Sequence, residues 1–232
     1  MVNWFSRFIT SSIGQKIIMS LTGLFLITFL LVHLIGNLQL MSSDGGQSFN
    51  EYAYFMTHNP LIKTVSYGLY AFILLHAIQG IVLWRRNSSA RGSVGYAVKK
   101  DRVAGDNSRV SSVYMGALGT VILIFILIHM YQFWLQMKLG NTEMITYGDG
   151  EPVKDLYTLV SAAYDNVLFV VFYVVSMIFI AFHLWHGFQS AFQTLGLNHP
   201  KWTPLIKTVG KIYSVAVPVG FAAIPIYMHF FQ

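Results

Sequence analysis

Long apolar stretches broken by short polar ones set the pattern of this chain. Five stretches, roughly 15–41, 61–85, 110–138, 158–190 and 205–231, each reach the ~20 residues a helix needs to cross a bilayer. The first is too long for the core of a signal peptide and is followed by no small-residue cleavage site, so it reads as a mature helix. The pattern predicts an all-α membrane protein, a single domain over residues 1–232 with five transmembrane helices. The segments between the helices, rich in Gly, Ser and Asn, are too polar to bury cores of their own.

Composition strengthens this picture. Apolar residues make up 55% of the chain and charged ones 10%, with a mean hydropathy of +0.55. Polar surface of that extent cannot cover a globule of this size, so lipid is the expected outer solvent. Cysteine is absent, which excludes disulfides, thiolate-bound zinc and cysteine-ligated iron–sulfur clusters. The net charge of +6 would suit nucleic acid, but its distribution suits membrane topology better. Arg85, Arg86, Arg91, Lys99, Lys100, Arg102 and Arg109 crowd between the second and third stretches. Arg7, Lys16, Lys201, Lys207 and Lys211 fall on the same side. Asp44, Glu51, Glu143, Asp149, Glu151 and Asp155 fall on the other. The positive-inside rule then predicts a cytoplasmic N-terminus and an outer C-terminus.

The candidate chemistry is histidine. His33, His76, His129 and His183 lie deep in four different apolar stretches, where an ionisable residue is costly and marks function by default. At a rise of 1.5 Å per residue, His33 and His129 fall about 7 and 8 Å toward the outer face. His76 and His183 fall about 5 and 13 Å toward the cytoplasm. Depth therefore pairs His33 with His129 and His76 with His183, and each pair would supply the two axial imidazoles of one haem iron. Gly36, Gly80 and Gly187 follow three of these histidines by three or four residues. On the same helical face, they would let a flat macrocycle approach the backbone, although such glycines also serve plain helix packing. His186, one turn past His183, is the rival ligand in its helix. His199 and His229 read as solvated or interfacial, and Trp4, Trp134, Trp185 and Trp202 as an aromatic belt. Carboxylates are missing from the span centres, so the chain suits electron transfer better than ion transport.

With these residues in place the sequence resembles a known family: the single-chain, five-helix, dihaem cytochrome b anchor of succinate:quinone oxidoreductases and quinol:fumarate reductases. The carrying segments are Phe29-Leu30-Leu31-Val32-His33-Leu34, Leu75-His76-Ala77-Ile78-Gln79-Gly80, Ile128-His129-Met130-Tyr131 and Phe182-His183-Leu184-Trp185-His186-Gly187-Phe188-Gln189-Ser190, with Ser48 to Met56 resembling the family's first outer loop. The resemblance implies the same histidine pairing, with His33 and His129 on the distal haem b and His76 and His183 on the proximal one. It also implies a bacterial inner membrane, a quinone substrate (menaquinone expected), and a flavoprotein and an iron–sulfur subunit on the cytoplasmic face. The heterotrimer would be able to dimerise. One position departs from the pattern. Some dihaem fumarate reductases carry a carboxylate two residues before the helix-four ligand, where this chain has Ala181, which puts transmembrane proton return by that route in doubt. A hydrogenase or formate dehydrogenase cytochrome b subunit, and a transporter with a histidine proton relay, are the alternative readings.

A quinone needs an apolar slot beside a haem and polar groups for its carbonyls. On the outer side Asn37, Gln39, Tyr54 and His58 are candidates, with Glu51 as proton acceptor. On the inner side the set is Gln15, Lys16, Ser20 and Trp84. The outer set is favoured because it joins a titratable carboxylate to an aromatic-rich loop. The basic segment from Arg85 to Arg109 is the expected face toward the iron–sulfur subunit or anionic headgroups.

Overall fold

The computed structural model describes residues 3–91 and 114–232. Most of the basic segment expected at the docking face, including Lys99, Lys100 and Arg102, lies outside the described residues. A short helix α1 (Trp4–Thr10) leads into α2 (Ser12–Asn37), which ends in a 3-10 turn (Leu38–Met41). Then come α3 (Gln47–His58), α4 (Pro60–Arg91) and α5 (Met115–His129), which continues through a π-helical turn (Met130–Leu135) into α6 (Gln136–Leu139). A two-stranded hairpin, β1 (Met144–Ile145) with β2 (Val153–Lys154), precedes α7 (Leu156–Tyr164), α8 (Val167–Thr194) and α9 (Thr203–Phe231).

Five of these segments are long and apolar enough to cross a membrane: Ser12–Met41, Pro60–Ser89, Met115–Leu139, Val167–Thr194 and Thr203–Phe231. Their outer surfaces carry large apolar side chains in the open, among them Leu74, Leu127, Val171, Ile178 and Val219. In water such a surface would aggregate, and in lipid it is the ordinary exterior.

Packing orders the spans into a ring. Helix α2 touches α4, α4 touches α5, α5 touches α8, and α8 returns to α2. This leaves α2 diagonal to α5 and α4 diagonal to α8. The fifth span, α9, lies outside the ring against α8 and α2. Close approach there needs missing side chains: a Cβ on Gly210 would lie 2.7 Å from the Phe188 ring, and one on Gly220 3.0 Å from Leu34. The Tyr213 hydroxyl donates to the Ile27 carbonyl at 2.5 Å, fastening α9 to α2.

One end of the bundle is capped, and here the structure departs from the sequence reading. The segment after α2, expected to be an irregular polar loop, contains the twelve-residue helix α3. Gly46 starts it at a φ of +87°, a value that favours glycine. Asn50, 1% exposed, explains how a polar segment folds. Its amide nitrogen donates to the Tyr147 hydroxyl (2.9 Å) and the Asp155 carboxylate (3.0 Å), and its oxygen accepts from the backbone N–H of Leu156 and Tyr157 (both 2.9 Å). One side chain thus binds the two connections at this end. The Gln232 amide reaches the Leu40 carbonyl at 2.9 Å, which brings the C-terminus to the same end.

Span four also differs. The stretch 158–190 is broken at Asp165 and Asn166, where Asn166 is extended and its side chain caps α8 by accepting from Leu168 N–H at 2.9 Å. The span is therefore 167–194, and Asp165 lies in the break. His183 sits two to three residues past that span's midpoint, about 4 Å rather than 13 Å along the axis.

Electrostatics tune the cap. Burial pushes the Asp155 carboxyl up, but hydrogen bonds from Thr158 and Asn50 outweigh it and hold the group below its ordinary value. The Ser48 hydroxyl and backbone N–H hold Asp44 down in the same way. Both carboxyls therefore stabilise the cap at neutral pH and lose that contribution as pH falls below about 4. Proteolysis of the 42–58 segment should accelerate in acid. Asn50→Leu strands two buried N–H groups and should cost about 3 kcal/mol, read as a lower unfolding temperature in detergent. An unchanged temperature would show that the cap does not depend on Asn50.

Candidate functional site

The four span histidines meet in two pairs across the diagonals of the ring. The imidazole centres of His33 (α2) and His129 (end of α5) are 5.9 Å apart with planes at 84°. Those of His76 (α4) and His183 (α8) are 6.3 Å apart with planes at 70°. Two imidazoles bound to one ion from opposite sides, each through a bond of about 2 Å, hold their centres roughly 6 Å apart. Edge-to-face aromatic pairs occupy the same range, so spacing is compatible with an ion between the rings and with direct contact. Among the described residues no group of three or more His, Cys, Asp or Glu gathers around a point. Each pair offers two imidazole side chains.

The pairs lie on two levels. A Cβ on Gly23 would lie 3.3 Å from His76 Cε1, and one on Gly119 3.9 Å from His183 Cε1. Gly23 is ten residues before His33 on α2, and Gly119 ten residues before His129 on α5. Each spacing corresponds to about 15 Å along a helix. Sequence reasoning missed the role of Gly23 because it and the imidazole it makes room for lie on different helices.

The groups facing His76 and His129 favour one ring tautomer. Thr22 donates its hydroxyl proton to the Ile18 carbonyl at 2.8 Å, so its oxygen, 3.1 Å from His76 Nδ1, accepts from an Nδ1–H. Tyr173 donates to Gln132 Oε1 at 2.7 Å, and its oxygen lies 3.4 Å from His129 Nδ1. In both cases the Nε2 lone pair is left for a ligand, the arrangement typical of metal-bound histidine. The Asn37 amide nitrogen lies 3.2 Å from His33 Nδ1 and donates to the His33 carbonyl at 2.7 Å. His183 Nδ1, His186 Nδ1 and Gln79 Oε1 are buried without a hydrogen-bond partner.

The three glycines expected to face a macrocycle divide. Beside Gly187 there is open space, and beside Gly80 only the Met19 methyl, at 3.6 Å from a built Cβ. Gly36 is different, because the Tyr52 ring of α3 packs against it at 2.4 Å from a built Cβ. That glycine seats the cap. Trp134 also has a specific role beyond an aromatic belt, donating its indole N–H to the Tyr70 hydroxyl at 2.8 Å.

The candidate quinone residues are not gathered into one cavity. Glu51 and Tyr54 line a cleft of about 220 Å³ with Tyr147, Gly150, Glu151 and Val153, and Glu51 accepts from Gln47 at 2.8 Å. His58 is exposed and stacks on Tyr54 at 4.0 Å. Asn37 turns back to His33, and Gln39 sits in the 3-10 turn with its carbonyl accepting from Ser42. At the opposite end Lys16 lines a cleft of about 340 Å³ with Ser190 and Gln193. Gln15 there is held by Arg86 at 2.7 Å, Ser20 bonds to the Lys16 carbonyl, and Trp84 covers Gly116.

Gly36→Val should cost about 1–3 kcal/mol through overpacking against Tyr52, whereas Gly187→Ala should leave the cofactor-free chain as stable or slightly more so. Thermal unfolding of the two variants checks both. Equal stability would remove the distinction between the two glycines. Compared with protein-family models, curated proteins and solved structures, the chain matches none.

Proposed function

We propose that this chain is the membrane-anchor cytochrome b subunit of a succinate:quinone oxidoreductase or quinol:fumarate reductase. In this reading it carries electrons between membrane quinone, menaquinone by expectation, and an iron–sulfur partner through two b haems. One observation carries the reading: two histidine pairs, each joining diagonal helices at close to the spacing of a doubly ligated ion. Two features support it. Thr22 and Tyr173 hold the Nδ1–H of one histidine in each pair, and the open space beside Gly187 would take a flat ring.

When bound, haem iron supplies reversible one-electron transfer. The remaining work falls to this chain. His33 with His129, and His76 with His183, would hold the two irons about 15 Å apart along the helix axes, dividing an apolar core about 30 Å thick. The lipid-facing aliphatic shell excludes water from both levels. Glu51, exposed at the capped end beside Tyr54, would exchange a quinol proton with water. The flavoprotein and iron–sulfur partners would carry the dicarboxylate and cluster chemistry, since this chain has no cysteine.

The reading is tested by the reduced-minus-oxidised spectrum and haem count of the purified protein with its co-purifying subunits. Two b haems per chain, with flavin and iron–sulfur partners, are expected. Replacing His33, His76, His129 or His183 by Ala should remove or convert one haem, and His186→Ala should leave both. Gly187→Leu should fill the space beside the His76–His183 pair and lower haem content at that pair alone. A haem-free protein would end the proposal, and haem loss in His186→Ala but not His183→Ala would move the ligand. Glu51→Gln should abolish quinol oxidation while both haems and succinate–dye activity persist. Full quinone activity would exclude Glu51.

A further inference from the structure

The four histidines differ in what holds them, and the most elaborate support belongs to His129. Tyr173, on α8, is 5% exposed and sits within an aromatic cage. Its ring centre lies 5.2 Å from Phe125, 5.3 Å from Tyr164, 5.7 Å from Phe172 and 6.1 Å from Phe133. Those rings leave the phenol little room to turn. Its oxygen stands 3.4 Å from His129 Nδ1 and 2.7 Å from Gln132 Oε1. An amide oxygen only accepts, so the phenol proton goes to Gln132 and the phenol oxygen is left to accept from His129.

Gln132 reaches the phenol from an unusual piece of backbone. The π-helical turn Met130–Leu135 begins directly after His129, and such turns concentrate at functional positions. His76 has an aliphatic hydroxyl in the corresponding place, and His183 Nδ1 has no partner.

We propose that Tyr173 and Gln132 are positioning residues that act through His129, fixing its Nδ1–H tautomer and its ring plane and raising the basicity of its Nε2. The inference rests on the haem reading. A more basic axial imidazole favours the more highly charged oxidised iron, so this relay lowers the reduction potential of the haem at the His33–His129 pair and leaves the other haem alone. A phenol that merely filled the aromatic core would affect stability and leave no signature confined to one haem.

The test is a potentiometric titration of the haem bands, with the low-spin resonance spectrum of the oxidised protein, in the intact complex. Tyr173→Phe keeps the ring and removes the acceptor. Gln132→Leu keeps the phenol and removes the acceptor that turns its proton away from His129, so the phenol oxygen is no longer held to accept from Nδ1–H. Both variants should retain two haems. Both should raise the potential and move the spectral signature of one haem only, Tyr173→Phe more strongly. If Tyr173→Phe fails to assemble, Gln132→Leu carries the readout. Two haems with unchanged potentials and spectra, or equal changes at both haems, would overturn the proposal. A wild-type protein without haem would instead remove the reading beneath it.

Discussion

The arrangement depends on one constraint: an imidazole placed inside an apolar, lipid-facing bundle is costly unless its polar atoms are met there. Each of the four ring helices carries at least one such imidazole, and for His76 and His129 the facing hydroxyl comes from another helix. The ring order α2–α4–α5–α8 brings them together across the diagonals. Everything close to that centre is subordinate to it. Gly23 makes room for the His76 ring, and Thr22 and Tyr173 accept from the Nδ1 atoms of His76 and His129. The aromatic residues around Tyr173 hold the phenol in place.

The periphery answers other demands. Helix α9 covers α8 and α2 and so keeps the backbone of two ring helices away from lipid on that side. The cap closes the other vulnerable region, where the chain leaves the bundle and its polar groups need partners. Asn50 meets much of that need, tying α3 to the start of α7, while Tyr52 fills the notch left by Gly36. The cap and the His33–His129 level are thereby adjacent. A change at Gly36 or Tyr52 is felt on the same helix that carries His33, three residues away.

Much of this was legible in the sequence, and the reasons for what was not are specific. Hydropathy located five spans because lipid imposes a length that composition reports directly. Depth along each span paired His33 with His129 and His76 with His183, and those are the rings that adjoin, since the sign of each offset outlasts errors of several residues. The offset of His183 was overstated because the apolar run 158–190 hides a break at Asp165 and Asn166 that hydropathy averaging passes over. Helix α3 was missed for the converse reason: its residues are polar by count, and its stability comes from Asn50 reaching residues about a hundred positions away. Thr22, Tyr173 and Gly23 had no sequence signal, because each acts on a histidine of another helix. Asn37, expected as a quinone partner, has its amide nitrogen one turn along from His33, 2.7 Å from the His33 carbonyl.

The central claim is that each histidine pair holds one iron. X-ray diffraction recorded on either side of the iron absorption edge, from crystals of the intact protein, locates that element without reference to any assumed cofactor. The account predicts two anomalous peaks, one between His33 and His129 and one between His76 and His183, separated by about 15 Å along the bundle axis. Absence of iron at either pair, or iron bound at His186 in place of His183, would contradict it.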